Sequence, residues 1–272
     1  MVNTVLQVET FKQLRDFIYE KCGIYVPDTK KYLLEKRLLQ RVQECNLGGF
    51  DEYLPFLRFS ANRDELVKFF DAVTTNETYF FREPNQLEVF IELIVPQILG
   101  QKSSKDIRIW SAACSTGEEP YTLAILLKEK QPGLRAELIA SDISNSVLES
   151  ARKAAYGSYS TRNVPPPYLA KYFMQSGWVH ELDNGLKNAV KFMNINLIDE
   201  QKVKAVQGVD AIFCRNVLIY FDDKSKQKAV SLLYDSLRPG GFLIISLSES
   251  LHSVTRAFKP VIFNKIVAYQ KV

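Results

Sequence analysis

The segment TTNETYFFRE, residues 74–83, places hydrogen-bonding side chains directly beside aromatic ones. A solvated loop does not need three aromatic residues, and a core strand does not tolerate Asn, Glu and Arg. The mixture is typical of a pocket wall, where a mainly apolar surface carries a few fixed polar contacts. We therefore predict that Asn76, Thr78 and Arg82 contact a ligand, whereas Phe80 and Phe81 are better explained as core residues.

A second segment, IRIWSAACSTGEEPYT, follows the pattern of a strand, a tight turn of small residues and the start of a helix. In doubly wound sheets, ligands bind at the carboxyl ends of the strands. The turn contains Gly117 but lacks both the G-K-[ST] of a P-loop and the full G-x-G-x-x-G of a dinucleotide site. The pattern predicts a nucleoside site of another kind.

Glu118 and Glu119 bear on the nature of that ligand. They occupy the helix start, where a dinucleotide would place its pyrophosphate, and two carboxylates there would repel a phosphate. A nucleoside without phosphate that carries positive charge fits better, and S-adenosylmethionine is such a molecule. Alternatively, the glutamates only complement the helix dipole. We favour the cofactor for Glu118 and the dipole for Glu119.

Asp142 ends the second strand of this region, where an acidic residue accepts the ribose hydroxyls of a nucleoside. The alternative is that it caps the next helix, although Ser144 or Asn145 could do so. These features together predict an α/β fold, the class I SAM-dependent methyltransferase fold, which is a Rossmann-like doubly wound sheet.

The elements that must position these residues can be inferred from apolar periodicity. Residues 1–73 predict an all-helical N-terminal domain, in which one helix begins at Asp28 and ends at Gly48-Gly49. Residues 74–272 alternate strands with helices, which predicts a mostly parallel sheet, and they end in two antiparallel strands. Asp183-Asn184-Gly185 lies between two strand-like runs, which predicts a small antiparallel β-insertion at about 172–194.

Composition excludes several other classes of protein. Two histidines among 272 residues argue against a His-rich metal site or a Ser-His-Asp triad, and we expect no metal. A net charge of +4 gives no broad footprint for nucleic acid. No apolar run is long enough to span a membrane, and no signal peptide is evident. Four scattered cysteines suit a reducing cytoplasm, so we expect a cytoplasmic protein.

Five segments, taken in order and spacing, resemble one known family. TTNETYFFRE, WSAACSTGEEPYT, SDIS, CRNVLIYF and LRPGG are similar to the chemotaxis-receptor glutamate O-methyltransferases, the CheR family. The similarity covers nearly the whole chain. It implies transfer of a methyl group from S-adenosylmethionine to glutamate side chains of receptor helices, which leaves S-adenosylhomocysteine. The implied partners are the cytoplasmic helices of methyl-accepting chemotaxis proteins, and we expect the enzyme to be a monomer.

The resemblance also implies the residues of the site. Arg82 and Tyr220 look like the residues that face the reacting centre. In some members the β-insertion grips a peptide at the receptor's C-terminus, but those members carry a longer Gly-containing loop than the QSG of this chain. The implied cofactor contacts are Asn76, Thr78, Arg82, Glu118, Asp142, Asn196, Leu197, Arg215 and Asn216.

The implied reaction agrees with the residue types present. A glutamate with a pKa of roughly 4.3 is already ionised near pH 7, so the nucleophile needs no general base. Arg82 can hold a carboxylate, and Tyr220 can donate one hydrogen bond. Alternatively, Arg82 pairs with Glu77 or Glu83, and Tyr220 is a packing residue. Two other functions stay open: a SAM-binding sensor module without catalysis, and a methyltransferase that acts on RNA or a small molecule.

A basic stripe on the second predicted helix suggests how the substrate is recognised. Lys30, Arg37 and Arg41 are spaced i, i+7 and i+11, which places them on one side of a helix. In the family, a positively charged face of the N-terminal domain meets the receptor, and acidic receptor helices complement it. We therefore predict that these three residues bind the substrate. The alternative is a solvated surface without a partner.

Overall fold

The computed structural model describes residues 5–272, together with their side chains except that of Arg63. A long sheet forms its centre, and a helical layer built from the first part of the chain lies against one end of that sheet. The strands in this range are β1 (Asp106–Ala112), β2 (Arg135–Asp142), β3 (Ala155–Gly157), β4 (Phe173–Ser176), β5 (Val179–Leu182), β6 (Val190–Asn194), β7 (Val209–Phe213), β8 (Leu237–Ile244), β9 (Phe258–Phe263) and β10 (Ile266–Lys271).

Helices flank the sheet on both faces and form the N-terminal layer. Short 3₁₀ turns cover Asp28–Lys30 and Leu218–Tyr220, and π-helical turns cover Phe56–Ser60 and Phe90–Ile94. The α-helices of the described range are α1 (Val8–Cys22), α2 (Lys31–Glu44), α3 (Phe50–Pro55), α4 (Arg63–Val73), α5 (Pro84–Val89), α6 (Val95–Gly100), α7 (Glu118–Lys130), α8 (Asn145–Lys153), α9 (Ser158–Thr161), α10 (Pro166–Tyr172), α11 (Asn184–Lys187), α12 (Glu200–Val203) and α13 (Asp223–Ser236).

The main sheet has the order β6-β2-β1-β7-β8-β10-β9. Strands β6, β2, β1, β7 and β8 are parallel, and β10 pairs antiparallel with both β8 and β9. The interior strands are buried on both faces, as helices on either side require. The predicted α/β methyltransferase fold is confirmed, including the antiparallel pair at the C-terminal end.

Alternate residues of β1 supply the cores on the two faces. Ile107 and Ile109 pack with α5, α6 and α7 on one face, and Trp110 packs with α13 on the other. Trp110 donates its indole hydrogen to the Ser141 hydroxyl at 2.9 Å, which satisfies its buried polar atom. Because both faces are fixed by packing, the carboxyl ends of β1, β2 and β7 are held in register.

The β-insertion differs from the prediction. A three-stranded antiparallel sheet of order β3-β5-β4 spans residues 155–182, and its hairpin turns at Gly177, not at the Asn-Gly pair. Asp183 accepts a hydrogen bond from the backbone N–H of Gly185 at 3.0 Å and caps α11, so this sequence starts a helix. The following strand, β6, pairs with β2 and belongs to the main sheet.

Helices α1–α4 share a hydrophobic core of their own. Helical structure begins at Asp28 as predicted, with a 3₁₀ turn that runs directly into α2 at Lys31, but α2 ends at Glu44, so the predicted end at Gly48-Gly49 is wrong. The side chain of Asp28 does not cap the helix and pairs with Arg15 instead. Helix α4 ends at Val73, beside the predicted domain boundary.

None of the helices in residues 5–272 combines the length and apolar character needed to cross a membrane.

The helical layer also bonds directly to the loop that follows β7. The backbone N–H of Tyr25 donates to the carbonyl of Tyr220 at 2.9 Å, and Ile24 forms an isolated bridge with Phe221. Asn196 donates its side-chain amide to the Lys21 carbonyl at 2.7 Å. These bonds hold the N-terminal layer across the carboxyl ends of the strands.

Candidate active site

A cavity lies between the helical layer and the carboxyl ends of β1, β2 and β7. It brings together residues that are distant in sequence, as a ligand site at strand ends requires. Of the predicted site residues, all but Glu118 and Arg41 line it. Those that do are Lys30, Arg37, Asn76, Thr78, Arg82, Asp142, Asn196, Leu197, Arg215, Asn216 and Tyr220.

Asp142 lies at the end of β2 with its carboxylate fixed by backbone groups. One oxygen accepts from the N–H of Ser115 at 2.9 Å, and the other accepts from the N–H of Ser144 at 3.0 Å. Burial raises the pKa of Asp142, although these N–H groups oppose that rise. Ser144 caps α8 through its hydroxyl, so Asp142 is not the helix cap and its remaining hydrogen-bonding capacity is directed to the cavity.

The turn after β1 has an unusual backbone. Ala113 and Ser115 adopt positive φ values of 63° and 49°, and Gly117 follows at 94°. Positive φ is uncommon for residues with a side chain, and such conformations concentrate at ligand sites. Asn216, after the neighbouring strand β7, also has a positive φ value, as do Phe81 and Glu83 on either side of Arg82. The ligand-facing loops therefore hold conformations that the surrounding structure must impose.

The two glutamates at the start of α7 point in different directions. Glu119 lines the cavity, where it accepts from the Ser111 hydroxyl at 2.7 Å and pairs with Arg215 at 3.0 Å. Glu118 is only 1% exposed, and it accepts from the Thr116 hydroxyl at 2.7 Å. Burial raises the pKa of Glu118. Consecutive helical residues are about 100° apart, so only one of the pair can face the strand ends.

The structure therefore reverses our preference between the two glutamates. Glu118, predicted as a cofactor contact, lies off the cavity wall, and Glu119, interpreted as a dipole residue, lies on it. Helix periodicity could have shown that only one of the two faces the ligand. It could not have shown which one, because that depends on how α7 is rotated against the sheet.

Arg215 connects three segments of the cavity wall. Its buried guanidinium pairs with Glu119 and, at 3.2 Å, with Glu83, and it donates to the carbonyl of Arg82 at 2.7 Å. The Nε atom of Arg215 is buried without a hydrogen-bond partner among the described residues. A buried cation between two carboxylates is charge-compensated, so Arg215 orients Glu119 and the Arg82 backbone.

Asn216 is held by residues that the sequence analysis missed. Glu249 accepts from the backbone N–H of Asn216 at 3.0 Å, and Ser246 accepts from its side-chain amide at 2.9 Å. Burial raises the pKa of Glu249, although hydrogen bonds from several backbone N–H groups lower it in part. Both residues follow β8, so the rule that ligand sites lie at carboxyl ends of parallel strands could have indicated them.

Arg82 has no carboxylate partner within the described part of the chain. Its guanidinium donates to the backbone carbonyl of Glu77 at 3.1 Å and lies 5.6 Å from the centre of the Tyr79 ring. The alternative in which Arg82 pairs with the carboxylate of Glu77 or Glu83 is not observed, since Glu83 pairs with Arg215. Arg82 is therefore a cation on the cavity wall that is available to an anionic group.

The three basic residues of the predicted stripe have three different environments. Lys30 is exposed at the edge of the cavity, and Arg37 is partly buried beside it. Arg37 donates to the carbonyl of Val73 at 2.8 Å and to the hydroxyl of Thr75 at 2.7 Å. Desolvation lowers the pKa of Arg37.

The substrate-binding prediction for Arg41 is wrong. Its side chain is buried, and its guanidinium forms a two-pronged pair with Glu65 and a further pair with Glu44. Tyr53 donates to Glu65 at 2.7 Å and completes the cluster. The C-terminal half of α2 packs against α4, which turns this end of the stripe inward. Amphipathic spacing gives the direction of a side chain on its helix, but not what covers it.

The hydrogen-bond acceptors of the cavity suit S-adenosylmethionine. Asp142 and Glu119 present carboxylates at the strand ends, which can accept from hydroxyl and ammonium groups but would repel phosphate. The charge of Arg215 is already offset by two carboxylates. The inner end of the cavity therefore favours a nucleoside that is free of phosphate and positively charged.

Comparison with known proteins agrees with this geometry. The family model described as CheR methyltransferase, all-alpha domain, matches residues 9–74, and the model described as CheR methyltransferase, SAM binding domain, matches residues 76–267. Chemotaxis protein methyltransferase 2 of Vibrio cholerae is 38% identical over 275 residues, covering 99% of this chain and 96% of that protein. The chemotaxis protein methyltransferase of Borreliella burgdorferi is 35% identical, and the match covers 92% of this chain and 91% of that protein. The chemotaxis protein methyltransferase of Salmonella typhimurium is also 35% identical, and the match covers 91% of this chain and 86% of that protein. The chain therefore belongs to the CheR methyltransferase family and is a SAM-dependent methyltransferase.

Proposed function

We propose that this protein transfers the methyl group of S-adenosylmethionine to glutamate side chains on the cytoplasmic helices of chemoreceptors. The products are glutamate methyl esters and S-adenosylhomocysteine. The observation that carries this proposal is the position of Arg82: a cation on the wall of the SAM cavity, without a carboxylate partner among the described residues. The relatives named above, all chemotaxis methyltransferases, support it. Such a reaction takes place in the cytoplasm.

The cofactor contacts divide between the strand ends and the segment that follows α4. Asp142 would accept from ribose hydroxyls, and Glu119 would accept from the ammonium group, with Arg215 holding it in place. Asn76 and Thr78 supply polar contacts from the opposite wall. Leu197 is buried and gives apolar surface, while the side chain of Asn196 is bonded to Lys21 and Ile198 and so shapes the loop.

The side chains of the cavity suit a carboxylate nucleophile. S-adenosylmethionine supplies an electrophilic methyl group on a sulfonium centre. A glutamate is already ionised at neutral pH, so the protein need not remove a proton from it. Arg82 can orient the carboxylate by a charge-assisted hydrogen bond, and Tyr220 can shape the approach from the loop after β7. Neither His180 nor His252 lines the cavity, so no histidine is placed there to serve as a base.

The test is methylation of an acidic receptor fragment with methyl-labelled S-adenosylmethionine. A carboxyl methyl ester releases methanol in base, whereas N-methyl and aryl ether products do not. We expect base-labile label in the fragment. Label that resists base would contradict glutamate methylation, and SAM binding without transfer to the fragment would favour the sensor module.

Two variants examine the roles of Arg82 and Tyr220. Arg82→Ala should lower kcat at saturating S-adenosylmethionine by roughly tenfold to a hundredfold, the value of a charge-assisted hydrogen bond. Tyr220→Phe should lower kcat less and leave the fold unchanged. Arg256→Ala is the matched control, since Arg256 is exposed and does not line the cavity. Full activity of Arg82→Ala and Tyr220→Phe would remove both residues from the reacting centre.

A further inference from the structure

A cationic stack lies beside the cavity, outside the residues assigned so far. The guanidinium carbon of Arg162 lies 3.8 Å from the ring centre of Tyr79 and 3.8 Å from that of Tyr159. Arg162 also donates to the backbone carbonyl of Tyr159. We call Arg162, Tyr79 and Tyr159 the Arg162 stack. A guanidinium fixed between two rings keeps its charge and has lost much of its rotational freedom before any partner arrives.

The stack is continuous with the wall of the SAM cavity. Tyr79 lines the cavity, and its ring is also approached by Arg82 at 5.6 Å. The two guanidinium carbons are therefore separated by no more than the sum of their distances from this one ring. Arg82 is on the cavity wall, whereas Arg162 is exposed at the surface. One positive charge is available inside the cavity and a second one outside it.

The charges around the stack leave Arg162 free to bind an anion. In the part of the chain that the structure describes, Arg162 has no ion pair with a carboxylate. The nearby acid is Glu77, which lines the cavity and accepts from the hydroxyl of exposed Tyr159 at 2.9 Å. Among the described charged residues that contact Tyr79 or Tyr159, Arg82 and Arg162 are cations and Glu77 is an acid, so the charge at the stack is positive on balance.

We propose that Arg162 is a substrate-specificity residue, which binds an acidic side chain of the receptor helix next to the glutamate that is methylated. This inference rests on the proposed function. One helical turn rises about 5.4 Å, so an acid one turn from the reacting glutamate lies at a spacing that the two guanidinium groups can match. Arg82 binds the reacting carboxylate, and Arg162 binds the carboxylate of the acid one helical turn away.

A purely structural function of the stack makes different predictions. The backbone N–H of Phe80 donates to the carbonyl of Ser160 at 3.0 Å, so α9 also supports the segment that carries Asn76 and Thr78. If Arg162 only braces this segment, its loss must weaken SAM binding. If Arg162 binds substrate, its loss must raise the KM for the receptor fragment and leave SAM affinity unchanged.

The experiment compares Arg162→Ala, Arg162→Glu and Arg162→Lys in the full chain. We measure KM for an acidic receptor fragment and the Kd for S-adenosylhomocysteine. Arg162→Glu should raise KM roughly tenfold and Arg162→Ala roughly threefold, because the contact is exposed and screened by salt. Arg162→Lys keeps the charge but not the planar stack, and should fall between Arg162→Ala and the wild type. Arg256→Glu, with the same change of charge away from the cavity, should leave KM unchanged.

A substrate variant shows whether the contact is direct. In a receptor fragment whose acidic residues one turn from the methylated glutamate are changed to Gln, wild type and Arg162→Ala should have equal KM values. The inference is overturned if KM is unchanged in Arg162→Glu, if Kd rises in parallel with KM, or if Arg162→Ala raises KM equally on both fragments. Failure of the proposed function is a separate result, because then the wild type places no base-labile methyl groups on either fragment.

Discussion

The two walls of the cavity position their charged residues in different ways. On the wall formed by the strand ends, Asp142 is fixed by two backbone N–H groups and Glu119 is fixed by Ser111 and Arg215. On the wall formed by the helical layer, Lys30 is exposed, and Arg37 donates to the Val73 carbonyl at the end of α4 and to the Thr75 hydroxyl just after it. The strand ends bury their ionisable groups among fixed partners, whereas the cavity side of the helical layer leaves Lys30 exposed and Arg37 partly exposed.

This difference fits two tasks that a methyltransferase must combine. A small cofactor needs groups that are held rigidly, which is possible where parallel strands and tight turns fix the backbone. A protein substrate is first met at a distance, and exposed charge accelerates that encounter without demanding rigid geometry. Arg41 belongs to neither task, since it lies buried inside the helical layer.

The largest change in stability is expected for a variant of Arg41, inside the helical layer. Arg41→Ala leaves Glu65 buried without its guanidinium partner and should lower the free energy of unfolding by about 3–5 kcal/mol. Denaturant unfolding measures this value. The variant Arg41→Ala with Glu65→Ala should lose less than the sum of the single changes. Lys204→Ala, which breaks an exposed pair with Glu200, should leave the free energy of unfolding almost unchanged.

The KM of Arg41→Ala for the receptor tests whether Arg41 also binds the substrate. Under conditions where it is folded, Arg41→Ala should keep the wild-type KM, because its side chain does not reach the substrate. A raised KM with unchanged stability would return Arg41 to the receptor-binding surface.

The next largest effect is a loss of cofactor affinity in a variant of Asp142. Asp142→Asn should weaken SAM binding by about 1–3 kcal/mol, since it removes a charge-assisted acceptor and sets an amide against a backbone N–H. Calorimetry with S-adenosylhomocysteine measures the loss. Asp106→Asn is the matched control, because Asp106 is partly exposed at the opposite end of β1 and pairs with Arg135. Equal affinity of Asp142→Asn and wild type would exclude Asp142 from the site.

The pH dependence of binding follows from the same residue. Burial raises the pKa of Asp142, and the ionised form is the one that accepts hydrogen bonds. As pH falls, protonation removes this acceptor, so affinity should begin to fall at a higher pH than the usual aspartate value of roughly 3.9 would give. Asp142→Asn should lack this part of the pH dependence. An identical pH profile in both proteins would assign the effect to another group.

Sequence and structure agree best where backbone topology decides position. The positions of the turn after β1 and of the acid at the end of β2 could be predicted from sequence, because parallel strands end at one edge of a sheet. Asn-Gly at 184–185 predicted a hairpin, but Asp183 supplies a helix cap at the same place. The helical layer is less predictable than the strand ends, since the burial of Arg41 depends on its pair with Glu65 of α4, which a local pattern does not contain.

The pair at the start of α7 offers a smaller and sharper test. Glu119→Gln should weaken S-adenosylhomocysteine binding by roughly tenfold, because Glu119 lines the cavity and loses its charge. Glu118→Gln makes the same chemical change one residue away and should leave affinity unchanged, since Glu118 is buried against Thr116. The reverse result would mean that the first glutamate, favoured by sequence, binds the cofactor.

Arg37 connects α2 to the segment that follows α4, and a charge-preserving variant can show how. Arg37→Lys keeps the positive charge but cannot reproduce both hydrogen bonds, to the Val73 carbonyl and the Thr75 hydroxyl. We expect SAM affinity to fall about threefold in Arg37→Lys and Arg37→Ala alike, because Asn76 follows this segment directly. Full affinity in Arg37→Lys would show that charge, not the fork of hydrogen bonds, is what this position requires.

The smallest effect is expected for Lys30, the exposed cation of the helical wall. Lys30→Glu should raise the receptor KM by roughly two- to threefold at low salt, since exposed charges are screened over about 8 Å at physiological ionic strength. SAM affinity should not change, because within residues 5–272 the side chain of Lys30 forms no hydrogen bond or ion pair with a cofactor-binding segment, and its backbone N–H donates to the carbonyl of Pro27 at 2.8 Å. Raising the salt concentration should bring wild type and Lys30→Glu together. If KM is equal at all salt concentrations, encounter with the receptor does not depend on the charge of Lys30.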